Sequence, residues 1–258
     1  MLDNTQQTVY SVFEKQSRQY SSKVAIEHGE QVTTYEDLAS RVDHLSSCMD
    51  IKTGEIVATW IDPSTDLVSA ALSIFKKGAI YMPLDISAGK NRIADAFELT
   101  ECRKIVTSKR RLSECVKYLK KLRIPIDCIY IIKEHQYLAK CSLLDEIVDL
   151  KPRQSDNVAI DYKDKSYIFH TSGTTGKAKS ILGSHKSLLH FINWEVDTFD
   201  IQSDCRVSFL SNVTFDASLR DIFVPLCKGG TVCIPAKNIK SNLSELVQWI
   251  DEKELTLL

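Results

Sequence analysis

Ser166-Tyr167-Ile168-Phe169-His170-Thr171-Ser172-Gly173-Thr174-Thr175-Gly176-Lys177-Ala178-Lys179 is the stretch from which the rest of the chain can be read. Its apolar opening predicts a buried strand over Ser166 to His170. The strand runs into two glycines, three threonines, a serine and two lysines. Glycine lets a backbone approach an anion closely and present its N–H groups. The hydroxyls of Thr171, Ser172, Thr174 and Thr175 add donors, and Lys177 and Lys179 add positive charge. This is the composition of a polyphosphate cradle, although a Thr/Gly-rich surface turn that binds nothing has the same letters. It is not a Walker A loop. Thr171 stands where that pattern needs glycine, and Ala178 where it needs a magnesium-holding hydroxyl.

Outward from this loop, strands alternate with helices. Toward the C-terminus, helices are predicted at about Ser184 to Phe199, Ala217 to Leu226 and Leu243 to Lys253. Strands fall at Arg206 to Leu210 and Thr231 to Ile234, and Leu255 to Leu258 reads as the first half of another. Toward the N-terminus, Val24 to Glu27 and Gln31 to Thr34 form two short strands about a His28-Gly29-Glu30 turn. Leu38, Val42, Leu45 and Met49 then recur at helical spacing. Strands at Glu55 to Ile61, Ala79 to Met82, Lys104 to Thr107 and Cys128 to Ile132 are separated by helical stretches. Lys133 to Lys165 is more polar and reads as a connector with one short helix. The alternation predicts an α/β fold of two layered parallel-sheet βαβ subdomains, approximately 1–150 and 151–258.

Bulk properties narrow the function. A formal net charge of −1 argues against bulk electrostatic binding to nucleic acid or anionic lipid. Between Arg103 and Arg123, nine Lys and Arg face one acid, Glu114; a solvated face and a partner-docking surface both fit. No run of about 18 apolar residues is present, and the polar, mixed first thirty residues lack a signal-peptide core. The cytoplasm is the expected compartment. The eight cysteines include no CxxC pair, and reduced thiols packing as small hydrophobes are expected, with no metal site among them.

Thr171 to Lys179 resembles the signature loop of the adenylate-forming superfamily, which includes acyl-CoA synthetases, luciferases and the adenylation domains of nonribosomal peptide synthetases. Three further segments resemble family motifs in the expected order. They are Thr34-Tyr35-Glu36-Asp37-Leu38, then Lys77-Gly78-Ala79-Ile80-Tyr81-Met82-Pro83-Leu84-Asp85, and then Phe215-Asp216-Ala217-Ser218. Departures are small: Ala178 stands where proline is usual and Ser180 where glycine is usual. The resemblance implies that Thr171, Ser172, Gly173, Thr174, Thr175, Gly176, Lys177 and Lys179 fold over the β- and γ-phosphates of ATP, with Mg²⁺ assisting. It implies activation of an amino acid as an aminoacyl adenylate, followed by transfer to the phosphopantetheine thiol of a carrier protein or domain.

Asp216 separates the branches. In amino-acid-activating members the aspartate of this motif pairs with the substrate α-ammonium, a charge-assisted contact that an acid lacking the amine cannot make. A helix N-cap is the competing role for Asp216. Ala217 and Arg220 match positions lining the substrate side-chain pocket. Arg220 then suggests an acidic or strongly polar substrate, or else a surface arginine paired with Asp221. For His170, His185, Trp194 and Phe199, packing is the expected role. The family's later motifs are absent, among them the adenine-supporting "YGPTE" segment and the distal catalytic lysine. The chain therefore resembles an N-terminal portion truncated before the β-barrel and C-terminal domain, in a stand-alone or initiating unit, and is expected to be inactive alone. An acyl- or aryl-acid ligase fragment and a non-catalytic binding module are the alternatives.

Overall fold

The computed structural model describes residues 7–85, 90–134, 136–141, 146–153, 159–172 and 178–258. It opens with α1 (Val9–Gln19), a helix additional to those expected. Then follow β1 (Val24–His28), β2 (Gln31–Thr34), α2 (Tyr35–Cys48), β3 (Ile56–Trp60), α3 (Thr65–Lys76), β4 (Ile80–Pro83) and α4 (Lys90–Thr100). The middle of the chain gives β5 (Lys104–Ser108), α5 (Leu112–Leu122), β6 (Cys128–Lys133), β7 (Gln136–Cys141) and β8 (Val148–Asp149). The last part gives β9 (Lys165–Ser172), β10 (Ala178–Ser184), α6 (His185–Thr198), β11 (Arg206–Ser208), α7 (Ala217–Lys228), β12 (Thr231–Ile234) and α8 (Leu243–Glu252).

Two sheets form, as expected, but they are mixed. The larger has the order β10-β9-β4-β3-β5-β6-β7-β8. Its five central strands, β9 to β6, run parallel, while β10, β7 and β8 are added antiparallel at the edges. The smaller sheet has the order β11-β12-β1-β2, parallel except for the β1–β2 hairpin. Gly29 turns that hairpin at φ +60°, a conformation that favours glycine. Sheet membership does not follow a division at about residue 150. The N-terminal β1 pairs with β12, and the later β9 and β10 extend the N-terminal sheet. The expected connector over 133–165 contributes strands β7 and β8; residues 142–145 and 154–158 within it lie outside the described set.

Alternation along the central strands separates two cores. Val57, Tyr81, Val106 and Phe169 face a layer of α1, α2, α3, α6 and α7 held between the sheets. Ala58, Met82, Ile105 and Ile168 face α4 and α5 on the outer side. Thr34 caps α2, accepting from the Asp37 amide (3.1 Å) and donating to the Asp37 carboxylate (2.7 Å). Next to it the fully buried Tyr35 donates its hydroxyl to the Gly230 carbonyl (2.8 Å) at the end of α7. The Thr34–Leu38 segment thus has a structural role: it starts one helix and ties it to the far sheet. Near the C-terminus Leu257 runs parallel to Val207 and accepts from the Ser208 amide (3.1 Å), so the expected extra strand begins beside β11.

Candidate functional site

The glycine-rich loop is carried on the β9–β10 hairpin. Gly173, Thr174, Thr175, Gly176 and Lys177 lie outside the described residues, as do the side chains of Ser172 and Ala178. What is described is the stem. Thr171 pairs with Lys179 and both side chains are exposed; one rung below, His170 pairs with Ser180. Their side chains bond across the strands, Ser180 Oγ to His170 Nδ1, at 3.1 Å, while His170 Nε2 lies 3.4 Å from Met82 Sδ on β4. Burial holds the His170 imidazole below its ordinary value, with Asp95 on α4 pulling the other way. Lower in the stem, Tyr167 lies over Gly183. A Cβ at Gly183 would come within 1.9 Å of the Tyr167 ring, so glycine is what lets the ring cross the strand there. The strand β10 was missed because its outer half is polar and its register arises only from pairing with β9.

The second candidate group follows β11. Asp216 begins α7, its Oδ1 accepting from the Ala217 amide (2.9 Å), and its side chain is exposed. Asp216 therefore stands at the N-cap position, bonded to the first amide of the helix. Ala217 is exposed beside it. The turn before them is heavily tied. Ser218 Oγ donates to the carbonyls of Val213 (3.1 Å) and Phe215 (2.6 Å), and the buried Asp221 accepts from the Ser211 amide (3.1 Å). Asn212 Oδ1 accepts from the Thr214 amide and hydroxyl, and Asn212 Nδ2 donates to Asp85 Oδ2 at 2.9 Å. Asp85 follows β4, the neighbour of β9. Asp85, just past β4 and next to β9 in the larger sheet, thus joins the Asp216 turn to the carboxyl ends of parallel strands, where open α/β sheets hold their ligands. A cavity of about 480 Å³ opens there, lined by Leu84, Asp85, Ser211, Asn212, Val213 and Lys240 among others. Asn212 and Asp85 were missed as site residues; the Asn-Val-Thr spelling of a side-chain turn was the available signal.

Of the two roles open for Arg220, the pairing with Asp221 is present and is joined by Glu195, whereas the packing expected of Trp194 and Phe199 needs correction. Arg220 Nε lies 2.6 Å from the buried Glu195 and its Nη1 3.3 Å from Asp221 and 2.8 Å from the Leu258 carbonyl. Both acids are nearly fully buried, and a guanidinium so engaged neutralises them instead of reaching for a substrate. Trp194 and Phe199 are not core: they are 51% and 59% exposed, in a row with Phe191 along the outer side of α6. His185 does pack, fully buried with its ring edge-on to Phe75. The basic stretch is partly answered by acids from elsewhere: Arg110 and Arg111 both pair with Asp62, Lys104 with Glu55 and Arg103 with Asp127. The described cysteines are buried and outside any disulfide, and burial pushes the Cys102 and Cys227 thiols up to about 12. Among the described residues no group of His, Cys, Asp and Glu has the arrangement of a metal site, and no helix is long and apolar enough to cross a membrane.

The chain matches the family described as "AMP-binding enzyme" over residues 13–258. It is 25% identical to tyrocidine synthase 1 of Brevibacillus parabrevis, over 97% of this chain and 22% of that protein. Against malpibaldin synthetase of Mortierella alpina the identity is 27%, over 98% of this chain and 4% of that protein. Its fold is similar to the NpsA N-terminal subdomain of Klebsiella oxytoca in complex with 3-hydroxybenzoyl-AMSN. That match has a TM-score of 0.79 at 20% identity and covers all of this chain and 61% of that one. An artificially fused adenylation-PCP di-domain, NpsA-ThdA of Klebsiella oxytoca, aligns with a TM-score of 0.76 at 19% identity, over 98% and 47%. The chain thus spans about a fifth or less of the length of these two curated relatives.

Proposed function

Because the chain belongs to the AMP-binding enzyme family, we propose that it carries the phosphate loop and the amine-recognising turn of a nonribosomal peptide synthetase adenylation domain. The observation that carries this reading is Asp216. It presents a carboxylate on a braced turn, at the same end of the sheets as the loop stem. In the reaction, a substrate carboxylate oxygen attacks the α-phosphorus of ATP, the bond to the β-phosphate bridge breaks, and pyrophosphate leaves. Thr171, Ser172, Gly173, Thr174, Thr175, Gly176, Lys177 and Lys179 hold the departing phosphates through backbone N–H groups, hydroxyls and charge. Asp216 holds the α-ammonium and Ala217 borders the side chain. Catalysis here is positioning and charge stabilisation. Mg²⁺ would neutralise polyphosphate charge and be held mainly by the phosphates, since the described residues offer it no cluster of their own.

The aminoacyl group would then pass to a carrier's phosphopantetheine thiol, with the chain inactive in turnover without the remainder of a full adenylation domain. The cytoplasm supplies the ATP and the reducing conditions that buried thiols suit. A second reading, activation of an aryl or acyl acid, is prompted by the 3-hydroxybenzoyl ligand of the NpsA subdomain. Calorimetric titration of the chain with the twenty aminoacyl sulfamoyl adenosines and with benzoyl and fatty-acyl counterparts separates the two. Selective binding of one aminoacyl compound, weakened roughly tenfold or more by Asp216→Asn, is the expected result. Preference for an amine-free compound supports the second reading. Binding of none refutes both.

A further inference from the structure

Asn212 uses both ends of its side-chain amide and its own carbonyl at one point of the fold. Its Oδ1 accepts from the Thr214 amide (3.0 Å) and hydroxyl (2.9 Å), and its carbonyl accepts from the Phe215 amide (3.0 Å). Those three bonds shape the turn that ends in Asp216. The fourth, from Nδ2 to Asp85 Oδ2 at 2.9 Å, leaves the turn altogether. It reaches the end of β4 in the other sheet, one rung of pairing away from β9 and the loop stem. From the opposite side, Asp221 on α7 grips the Ser211 amide. The Asp85 bond thus ties the turn to the larger sheet.

We infer that Asp85 and Asn212 are positioning residues: a cross-sheet clasp that sets the distance and direction of the Asp216 carboxylate relative to the β4 and β9 end of the larger sheet. This rests on the proposed role of Asp216 in holding the substrate amine. The chemistry requires such a register. One small molecule must reach Asp216 with its ammonium while its carboxylate, two bonds away, meets the α-phosphate held from the other sheet. A slack of even a fraction of an ångström between the sheets weakens the shorter, charge-assisted contact most. The clasp therefore acts on discrimination for the amine before it acts on overall affinity.

The pair permits a test that a merely structural role would not pass. Asn212→Asp keeps the acceptor for Thr214 but sets two carboxylates against each other, breaking the clasp. Adding Asp85→Asn restores it with donor and acceptor exchanged. Two readouts apply to the 258-residue chain: hydrogen exchange at the Thr214 and Phe215 amides, and the affinity ratio between the tightest of the twenty aminoacyl sulfamoyl adenosines and its des-amino counterpart. For N212D, exchange about fivefold faster in the turn and an amine preference reduced about fivefold are expected, with core exchange in β3 unchanged. The double variant should recover both. An amine preference equal in wild type and N212D, or no recovery in the double variant, overturns the clasp while leaving the Asp216 reading standing. A wild-type chain with no amine preference overturns the Asp216 reading and the clasp's role with it.

Discussion

Replacing His185 with phenylalanine should flatten the acid limb of the stability curve. The ring is wholly buried at the start of α6, edge-on to Phe75 with centroids 5.2 Å apart, and neither ring nitrogen has a hydrogen-bond partner among the described residues. Burial pushes the imidazole from its ordinary 6.5 down to about 4, against a weaker opposing pull from Asp164. The folded state therefore excludes the proton that the unfolded chain takes up readily. As pH falls below the ordinary imidazole value the unfolded state binds more protons, and stability declines until pH passes the folded value. Between about pH 7 and about pH 5, His185 alone should remove about 2 kcal/mol. The carboxylates Glu27 and Asp62, held below their ordinary values by arginine and lysine partners, lose their contribution only at lower pH. His170 and His28 also titrate below their ordinary value and are common to both proteins. Urea unfolding of wild type and H185F at several pH values isolates the difference. Parallel pH dependences for the two would refute the reasoning, as would an NMR titration placing His185 near 6.5.

Gly183→Ala should destabilise by about 1 kcal/mol, because the Tyr167 ring must swing off the strand and give up its packing on Phe169. In urea unfolding the penalty should shrink when Tyr167 is alanine. Arg220→Ala should cost about 3 kcal/mol, since Glu195 and Asp221 would remain buried and lose their guanidinium partner. Adding Glu195→Gln should return part of it. A variant of unchanged stability that fails to bind the aminoacyl compounds would instead reinstate Arg220 as a substrate group.

Much of this architecture is legible in one dimension. Leu38, Val42 and Leu45 recur at helical spacing and all three face the inter-sheet core, and the strands β3 to β6 read directly as apolar runs between helices. The errors share a physical cause. Edge strands β8 and β10 are partly solvated and owe their form to a neighbour, and β7 is a short strand added antiparallel inside the polar connector, so their letters look like loop. Helix α1 was readable: Val9, Val12, Phe13 and Gln16 form one buried face behind a Thr8 cap, within an otherwise polar segment. In the site, Asp216 and the loop stem were recognisable from spelling. The Arg220–Glu195 ion pair and the Asp85–Asn212 bond join residues far apart in the chain, and no local pattern encodes them. Trp194 and Phe199 were misplaced because aromatic residues at helical spacing describe a face without saying what covers it.

The pairing of β1 with β12 gives this protein an unusual childhood on the ribosome. Ile26 lies beside Val232, so the first sheet strand to be synthesised waits for a partner made about 200 residues later, on the order of 10–40 s at ordinary translation rates. Throughout that interval β1 has only the short β2 to shield it, and its other edge offers unpaired N–H and C=O groups to any extended peptide nearby. The eight-stranded sheet can assemble its parallel centre earlier, except for β9, while the smaller sheet closes last. A pause before β12 is made would therefore leave β1 with an open, adhesive edge, and holdase chaperones should engage it there.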